Sequence, residues 1–542
     1  MRHATTIVPT TMRVAVGAAA VALLAAACTS SSAGSSAKTN GTVPASFTFA
    51  LPAAPISLDI PKDFDGNIMQ IMALVTEKLE RISPTGQLSP DLATSVTQPN
   101  ATTLVYHIRS GVKFSDGTPL TAADVAWSLQ HVTDVKAGAE TAGNVLSFAS
   151  ATVTGPLQVT VKLKYPDPTA RENLAVISFV QEAKFGQAHL SDLGSPGAVP
   201  VGTGPYKVSS DTTQAVTLTR NPYYWGPKPP VNKLVFTFIP TDTTAQLAMR
   251  SGSIQGALVA DLKTVSAWKA ISGTTLYNLP SLYTNFLTLD TSAGPLSDVH
   301  VRKAIAYSLD RAGVMAAAFG QYATLMKGMA TPGLLADVAP STAAAQTFLN
   351  DLPQYSFNLA KAKAELAQSA YPHGFSLTVP YVTGDPASEL PVLNLQQNMK
   401  QLGVTITPKA ESSSQWVAAI YAHGKNLGMQ TMALIPPIPD PAALLGVITG
   451  TENIRPQGFN LANWSNPAVD QANTELNRST DKATRWQATK TLLSAIAAEV
   501  PYIPLYSQDT VAVLGGGWRF GAPQNLFDLD VDGTWAFHLT TG

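Results

Sequence analysis

Residues able to do covalent or redox chemistry are few and scattered along this chain. Cysteine occurs once in 542 residues, at Cys28, and the eight histidines form no His-Glu-x-x-His pair. No Cys-x-x-Cys, Gly-x-Ser-x-Gly or phosphate-binding P-loop occurs, and His and carboxylates do not cluster at the spacing a metal site needs. A Ser-x-x-Lys at Ser35 to Lys38 falls in a Ser- and Gly-rich stretch. A serine nucleophile of that kind needs a packed helix and a nearby base, which such a stretch cannot supply. The residues predict no catalytic site, no metal site and no cofactor, and a lone thiol excludes an intramolecular disulfide.

The place of Cys28 gives it a different chemistry. Arg2 and Arg13 precede an apolar, small-residue run from Val14 to Ala27, and no acidic residue appears before Asp59. This is the pattern of an export signal over 1–27. Fourteen apolar residues fall short of the roughly 20 needed to span a bilayer. Cys28 follows Ala25-Ala26-Ala27 and resembles the lipobox cysteine that bacteria diacylate, although the large aliphatic residue, Leu24, stands one place further back than usual. Lipidation at Cys28 would hold the chain on the extracytoplasmic face of the cell membrane. Cleavage by ordinary signal peptidase would instead release it as a secreted protein. Residues 28–44 are Ser-, Gly- and Thr-rich and are expected to form a flexible tether.

About 500 residues then remain, more than one core usually supports, so two or three domains are expected. The 35 basic and 36 acidic residues nearly cancel and form no basic cluster, which leaves no electrostatic footprint for nucleic acid. Strands are predicted at 47–51, 103–108, 216–219, 233–238 and 376–381, and a hairpin at 151–163. Helices are predicted at 66–82, 298–309 and 359–369, and from Thr121 with Asp124 in its first turn. Asp116-Gly117 is expected to be a turn. The mixture of elements is α/β, with no repeat of a solenoid or propeller kind.

Four ordered blocks make the chain similar to a known family. They are Leu88 to Ala93 with Thr103 to Ser128 (LVYHIRSGVKFSDGTPLTAADVAWS from Leu104), Gly202 to Tyr206 with Arg220 to Trp225, Pro295 to Arg311, and Pro501 to Leu505. The chain resembles the extracytoplasmic solute-binding proteins of family 5, the peptide and nickel receptors of ABC importers. The resemblance implies a two-lobed periplasmic-binding-protein-like fold (class II type) with a third, inserted domain. Lobe I would comprise 45–85, 200–285 and 510–542, the inserted domain 86–199, and lobe II 286–509. The implied partners are a short peptide, an ABC permease with its ATPase subunits, and the membrane through the lipid anchor, with the protein acting as a monomer. A non-peptide solute such as a metal chelate, haem or oligosaccharide is the alternative.

In that family the peptide lies between lobes and pairs with strand edges. Its amino terminus is normally held by an aspartate in an Ala-Asp-Tyr-x-Asp-Pro motif. Here the matching stretch is Leu434 to Pro441, and Pro437 occupies the place of that aspartate. The resemblance leaves Asp440 either to take over the amine or to cap a neighbouring turn. Ala433 and Ile435 are candidates for main-chain contacts, and Trp416 and Tyr421 for pocket walls. His423 and Lys425 flank Gly424 in a loop, where they would meet a ligand carboxylate or simply be solvated. Arg302 is expected to be a surface residue without a role in the site.

Overall fold

The computed structural model describes residues 45–423, 427–456, 458–521 and 525–542. The export segment, Cys28, the tether up to residue 44, and Lys425 lie outside the described residues.

The first sheet has seven strands in the order Thr275–Leu279, Thr510–Leu514, Gly256–Leu258, Ser46–Leu51, Lys233–Phe238, Ala215–Arg220, Tyr206–Asp211. Ser46–Leu51 runs parallel to both of its neighbours, and the remaining pairs are antiparallel. Alternation decides which side chains face inward. Phe47, Phe49 and Phe236 are buried around Trp535, with Trp518 edge-on to Phe47 at 4.8 Å. Gly256 permits this packing, because a Cβ there would fall 2.4 Å from the Phe49 ring.

A four-stranded antiparallel sheet follows the order Ala93–Asn100, Thr103–Ile108, Gln158–Leu163, Phe148–Gly155. The helix Ala122–Val132 packs on it and begins with the predicted reciprocal cap. Thr121 accepts from the Asp124 backbone N–H, while the Asp124 carboxylate accepts from the Thr121 N–H. One continuous apolar core joins this sheet to the seven-stranded one.

A second four-stranded antiparallel sheet has the order Ala323–Leu325, Tyr502–Gln508, Thr284–Leu289, Met429–Leu434. Beside it lie a parallel pair, Ser376–Val382 with Thr405–Glu411, and the helices of 299–499. The chain passes between the two large sheets twice. Thr275–Leu279 pairs with Thr510–Leu514 in one sheet, and Thr284–Leu289 pairs with Tyr502–Gln508 in the other. The two connections lie side by side, with Ser281 Oγ donating to the Gln508 carbonyl at 2.7 Å and Asn278 Nδ2 to Asp509 Oδ2 at 2.7 Å. Two short connections running side by side in opposite directions are the construction of a hinge.

The predicted strands and the hairpin are present, as are helices Val299–Ser308 and Leu359–Gln368. Gly117, at φ 96°, forms the expected turn, and Asp116 accepts from the Thr118 N–H. The helix predicted at 66–82 is corrected. It spans only Gly66–Met72, and Glu80–Ile82 is a strand. Residues 68–80 are buried on every side, so apolar residues fall at helical spacing without marking a helical face. The segment after Met72 instead offers its Leu74 and Val75 carbonyls to the N–H groups of Tyr206 and Gly204. Gly204 makes that approach possible, since a Cβ would meet the Leu74 carbonyl oxygen at 2.6 Å. Arg302, read as a surface residue, is buried and donates to the carbonyls of Glu499, Leu296 and Ser297.

Candidate solute-binding cleft

Met429–Leu434 is the outer strand of its sheet. One edge pairs with Thr284–Leu289, placing Ala433 opposite Asn285, and among the described residues no strand pairs with the other edge. The strand stops where Pro436, Pro437 and Pro439 remove backbone donors. Ile435, between strand and prolines, is 53% exposed, unusual for so large an apolar side chain.

Asp440 takes the second of the two roles open to it. Its carboxylate accepts from the Ala442 N–H at 2.8 Å, capping the short turn Pro441–Ala443, and from Arg485 at 2.6 Å. Both members of this ion pair are buried. Asp440 therefore already has a cationic partner.

Past the prolines the chain forms one wall of a cavity of about 230 Å³. That wall carries Pro437, Ala443, Val447, Glu452 and Arg478, and the facing wall carries Asn144, Tyr165, Asp167, Thr169 and Asn173. A single water needs only about 10–15 Å³ measured in this way, so the space suits a small solute with its hydration. The Arg478 guanidinium spans the walls and lies over the Tyr165 ring, 4.7 Å from its centroid. Asp167 is held by Ser147 Oγ and by the N–H and hydroxyl of Thr169. Glu452 accepts from Asn473 Nδ2 at 2.8 Å. Gly86 lies next to Pro439, whose ring a Cβ added to the glycine would meet at 3.4 Å.

The other sequence candidates sit apart from this cavity. Trp416, in helix Ser413–Ala422, packs half-buried against the core around Leu444 and Trp464, and its indole N–H is buried with no hydrogen-bond partner. Tyr421 follows in the same helix, and its side chain lies outside what is described. His423 is not solvated. Its ring nitrogens meet the Gly458 carbonyl at 3.1 Å and Asn463 Oδ1 at 3.0 Å. Two further Ser-x-x-Lys spacings are structural: Lys269 lies over the Tyr322 ring, and Lys482 pairs with Asp337.

One carboxyl close to the cavity, though not among the residues that line it, escaped sequence reasoning. Glu172, in helix Ala170–Ile177, is one turn from Thr169, and its Oε2 is buried without a hydrogen-bond partner. Burial, offset in part by a backbone hydrogen bond and reinforced by the fields of Asp440 and Asp337, pushes its carboxyl up to about 7. No local motif marks such a residue, because its surroundings come from a chain segment more than 150 residues away.

The comparisons with known proteins bear on the fold and the family. The model of bacterial extracellular solute-binding proteins, family 5 Middle, matches residues 87–455. The glutathione-binding protein GsiB of Escherichia coli (strain K12) is 25% identical over 426 residues, covering 77% of this chain and 80% of its own. Two solved structures cover 92% of this chain. The periplasmic binding protein DppA from Helicobacter pylori in complex with peptide STSA has a TM-score of 0.75 at 20% identity, with 98% of its chain covered. NikZ from Campylobacter jejuni in complex with Ni(L-His) has a TM-score of 0.74 at 18% identity, with all of its chain covered (100%). The fold is thus the mixed α/β periplasmic-binding-protein type, and the chain belongs to the bacterial extracellular solute-binding proteins of family 5.

Proposed function

We propose that this protein is the substrate-binding lipoprotein of an ABC importer, anchored through Cys28, that captures short peptides between its lobes and delivers them to a permease. The observations that support this most are the unpaired outer edge of Met429–Leu434 and the polar cavity that the chain lines from Pro437 onward against residues 143–173, the stretch assigned to the inserted domain. An open edge offers backbone groups that any peptide can pair with, while a roomy hydrated cavity tolerates varied side chains. GsiB and DppA, named for glutathione and bound to a peptide respectively, fit such a site.

The second reading, a receptor of the same fold for a non-peptide solute, draws on Pro437 and Asp440. Pro437 cannot pair with an ammonium, and Asp440 is engaged by Arg485. The structure of NikZ with a nickel–histidine complex makes a chelate the relevant example. Native mass spectrometry on protein purified without denaturation separates the two. Co-purifying peptides support the first reading and a chelate or sugar the second. Protein that carries no solute and takes none up from a peptide pool contradicts the proposal.

A further inference from the structure

We infer that the cavity selects solutes that carry a cationic group with several N–H donors on an apolar stem, a guanidinium or ammonium such as that of an arginyl or lysyl side chain. The inference deepens the peptide reading and rests on the cavity being the solute site.

The hydrogen-bonding groups of the walls carry it. Asn144, Asn173, Asn453 and Asn477 line the cavity, and each commits its NH2 group to a partner in the protein. Asn144 Nδ2 donates to the Thr141 carbonyl, Asn453 Nδ2 to those of Gly446 and Thr449, and Asn477 Nδ2 to that of Asn473. A carbonyl can only accept, so these partners fix which end of each amide is the oxygen. Asn173 Nδ2 meets Thr169 Oγ1, whose own proton goes to Asp167, so this amide is fixed as well. Among the described residues none of these amide oxygens receives a donor, although Asn173 is only 5% exposed. Glu452 Oε2 is in the same position, since Asn473 reaches only Oε1.

The donors of the walls, by contrast, are largely spent. The Thr474 hydroxyl goes to the Asp470 carbonyl and that of Thr169 to Asp167. Arg478 is the one cation lining the cavity, and it is laid over the Tyr165 ring. Asp167 and Glu452 stand against it, which leaves the lining net negative. An acceptor-rich or anionic solute would face these oxygens with lone pairs, whereas N–H donors complete them and a positive charge strengthens each bond. Leu146, Ala443 and Val447 give the same cavity an apolar flank, which suits the methylene stem of a lysyl or arginyl side chain.

The test uses the full chain with a pool of di- and tripeptides that have identical free termini and differ at one residue, Arg, Lys, Gln or Glu, followed by native mass spectrometry and calorimetry. Identical termini cancel whatever the terminal amine contributes. Arg and Lys peptides should bind the wild type about tenfold tighter than Gln peptides, and Glu peptides should bind weakest. Glu452→Gln keeps the acceptor for Asn473 and removes the charge. In that variant the ratio of Arg- to Gln-peptide affinity should fall about three- to tenfold, with Gln-peptide affinity unchanged. Misfolding would weaken both peptides alike, so the ratio reads the cavity. Putrescine, a free aliphatic diamine, separates a peptide side chain from a small cation: its binding with no peptide bound keeps the selectivity for cations and overturns the peptide reading. Equal binding of all the peptides, or an unchanged ratio in Glu452→Gln, overturns the inference while the peptide reading stands. A preference for Glu peptides does the same and makes Arg478 the recognising group. Failure of every probe to bind the wild type overturns both.

Discussion

Arg478 lies over Tyr165, 4.7 Å from the ring centroid, and the two residues belong to opposite walls of the cavity. The contact is a latch between the two walls, and its strength follows from its exposure. Arg478 is exposed, so the interaction belongs at the weak end for a cation over a ring, about 0.5–1 kcal/mol. Arg478→Ala should weaken solute binding by only about two- to fivefold, through faster release more than slower capture. Stopped-flow kinetics reads this directly, and a loss of a hundredfold would show that Arg478 contacts the solute itself.

Asp440→Asn tests whether Asp440 is structural or clasps a solute amine. Removing the nearer partner of the buried Arg485 guanidinium leaves it only the more exposed Asp337 at 3.8 Å, and should cost stability at or below the lower end of the roughly 3–5 kcal/mol typical of a broken buried pair. The ratio of free to N-acetylated peptide affinity should not change. Denaturant unfolding and calorimetry check the two halves, and a variant of normal stability that loses amine preference would return the clasp to Asp440.

Several buried carboxyls give stability a definite slope with pH. Burial pushes Asp530 and Glu77 up to about 8 and Glu172 up to about 7. In Glu77 a hydrogen bond from the Trp225 indole offsets part of the effect. Between about pH 5 and 8 the native state therefore holds protons that the unfolded chain has already released. Stability falls with pH wherever the native state binds more protons. The unliganded protein should melt at its highest temperature on the acid side of this window and lower at pH 8, and Asp530→Asn should flatten the slope. A melting temperature that rises steadily from pH 5 to 8 would contradict the burial of these groups.

How much could be read beforehand depended on the range of the interactions. Thr121 and Asp124 were legible because a capping box closes within four residues. Pro437, singled out in the sequence, does line the cavity, whereas the strand before it, Met429–Leu434, does not. The helix assigned to 66–82 was misread because total burial erases the contrast between faces on which periodicity depends. Asp440 kept two roles open because its partner, Arg485, comes from a helix 45 residues further on. Glu172 was invisible for the same reason at larger separation, since its burial and the fields of Asp440 and Asp337 come from segments more than 150 residues further along the chain.

The proposed anchoring rests on the Ala25-Ala26-Ala27-Cys28 site. The wild type should partition with membranes and Cys28→Ala should not, because two or more acyl chains give stable attachment where one is marginal. Recovery of the wild type wholly in the culture fluid, without lipid by mass spectrometry, would contradict it.

The most direct test of capture in this cleft is calorimetric titration of the wild type and Val447→Trp with the same di- and tripeptide pool. Val447 lines the cavity and is only partly buried, so an indole there fills the solute space without displacing the core. The account predicts measurable binding by the wild type, and loss of binding by a folded Val447→Trp protein. Equal binding by both would place the solute elsewhere and contradict it.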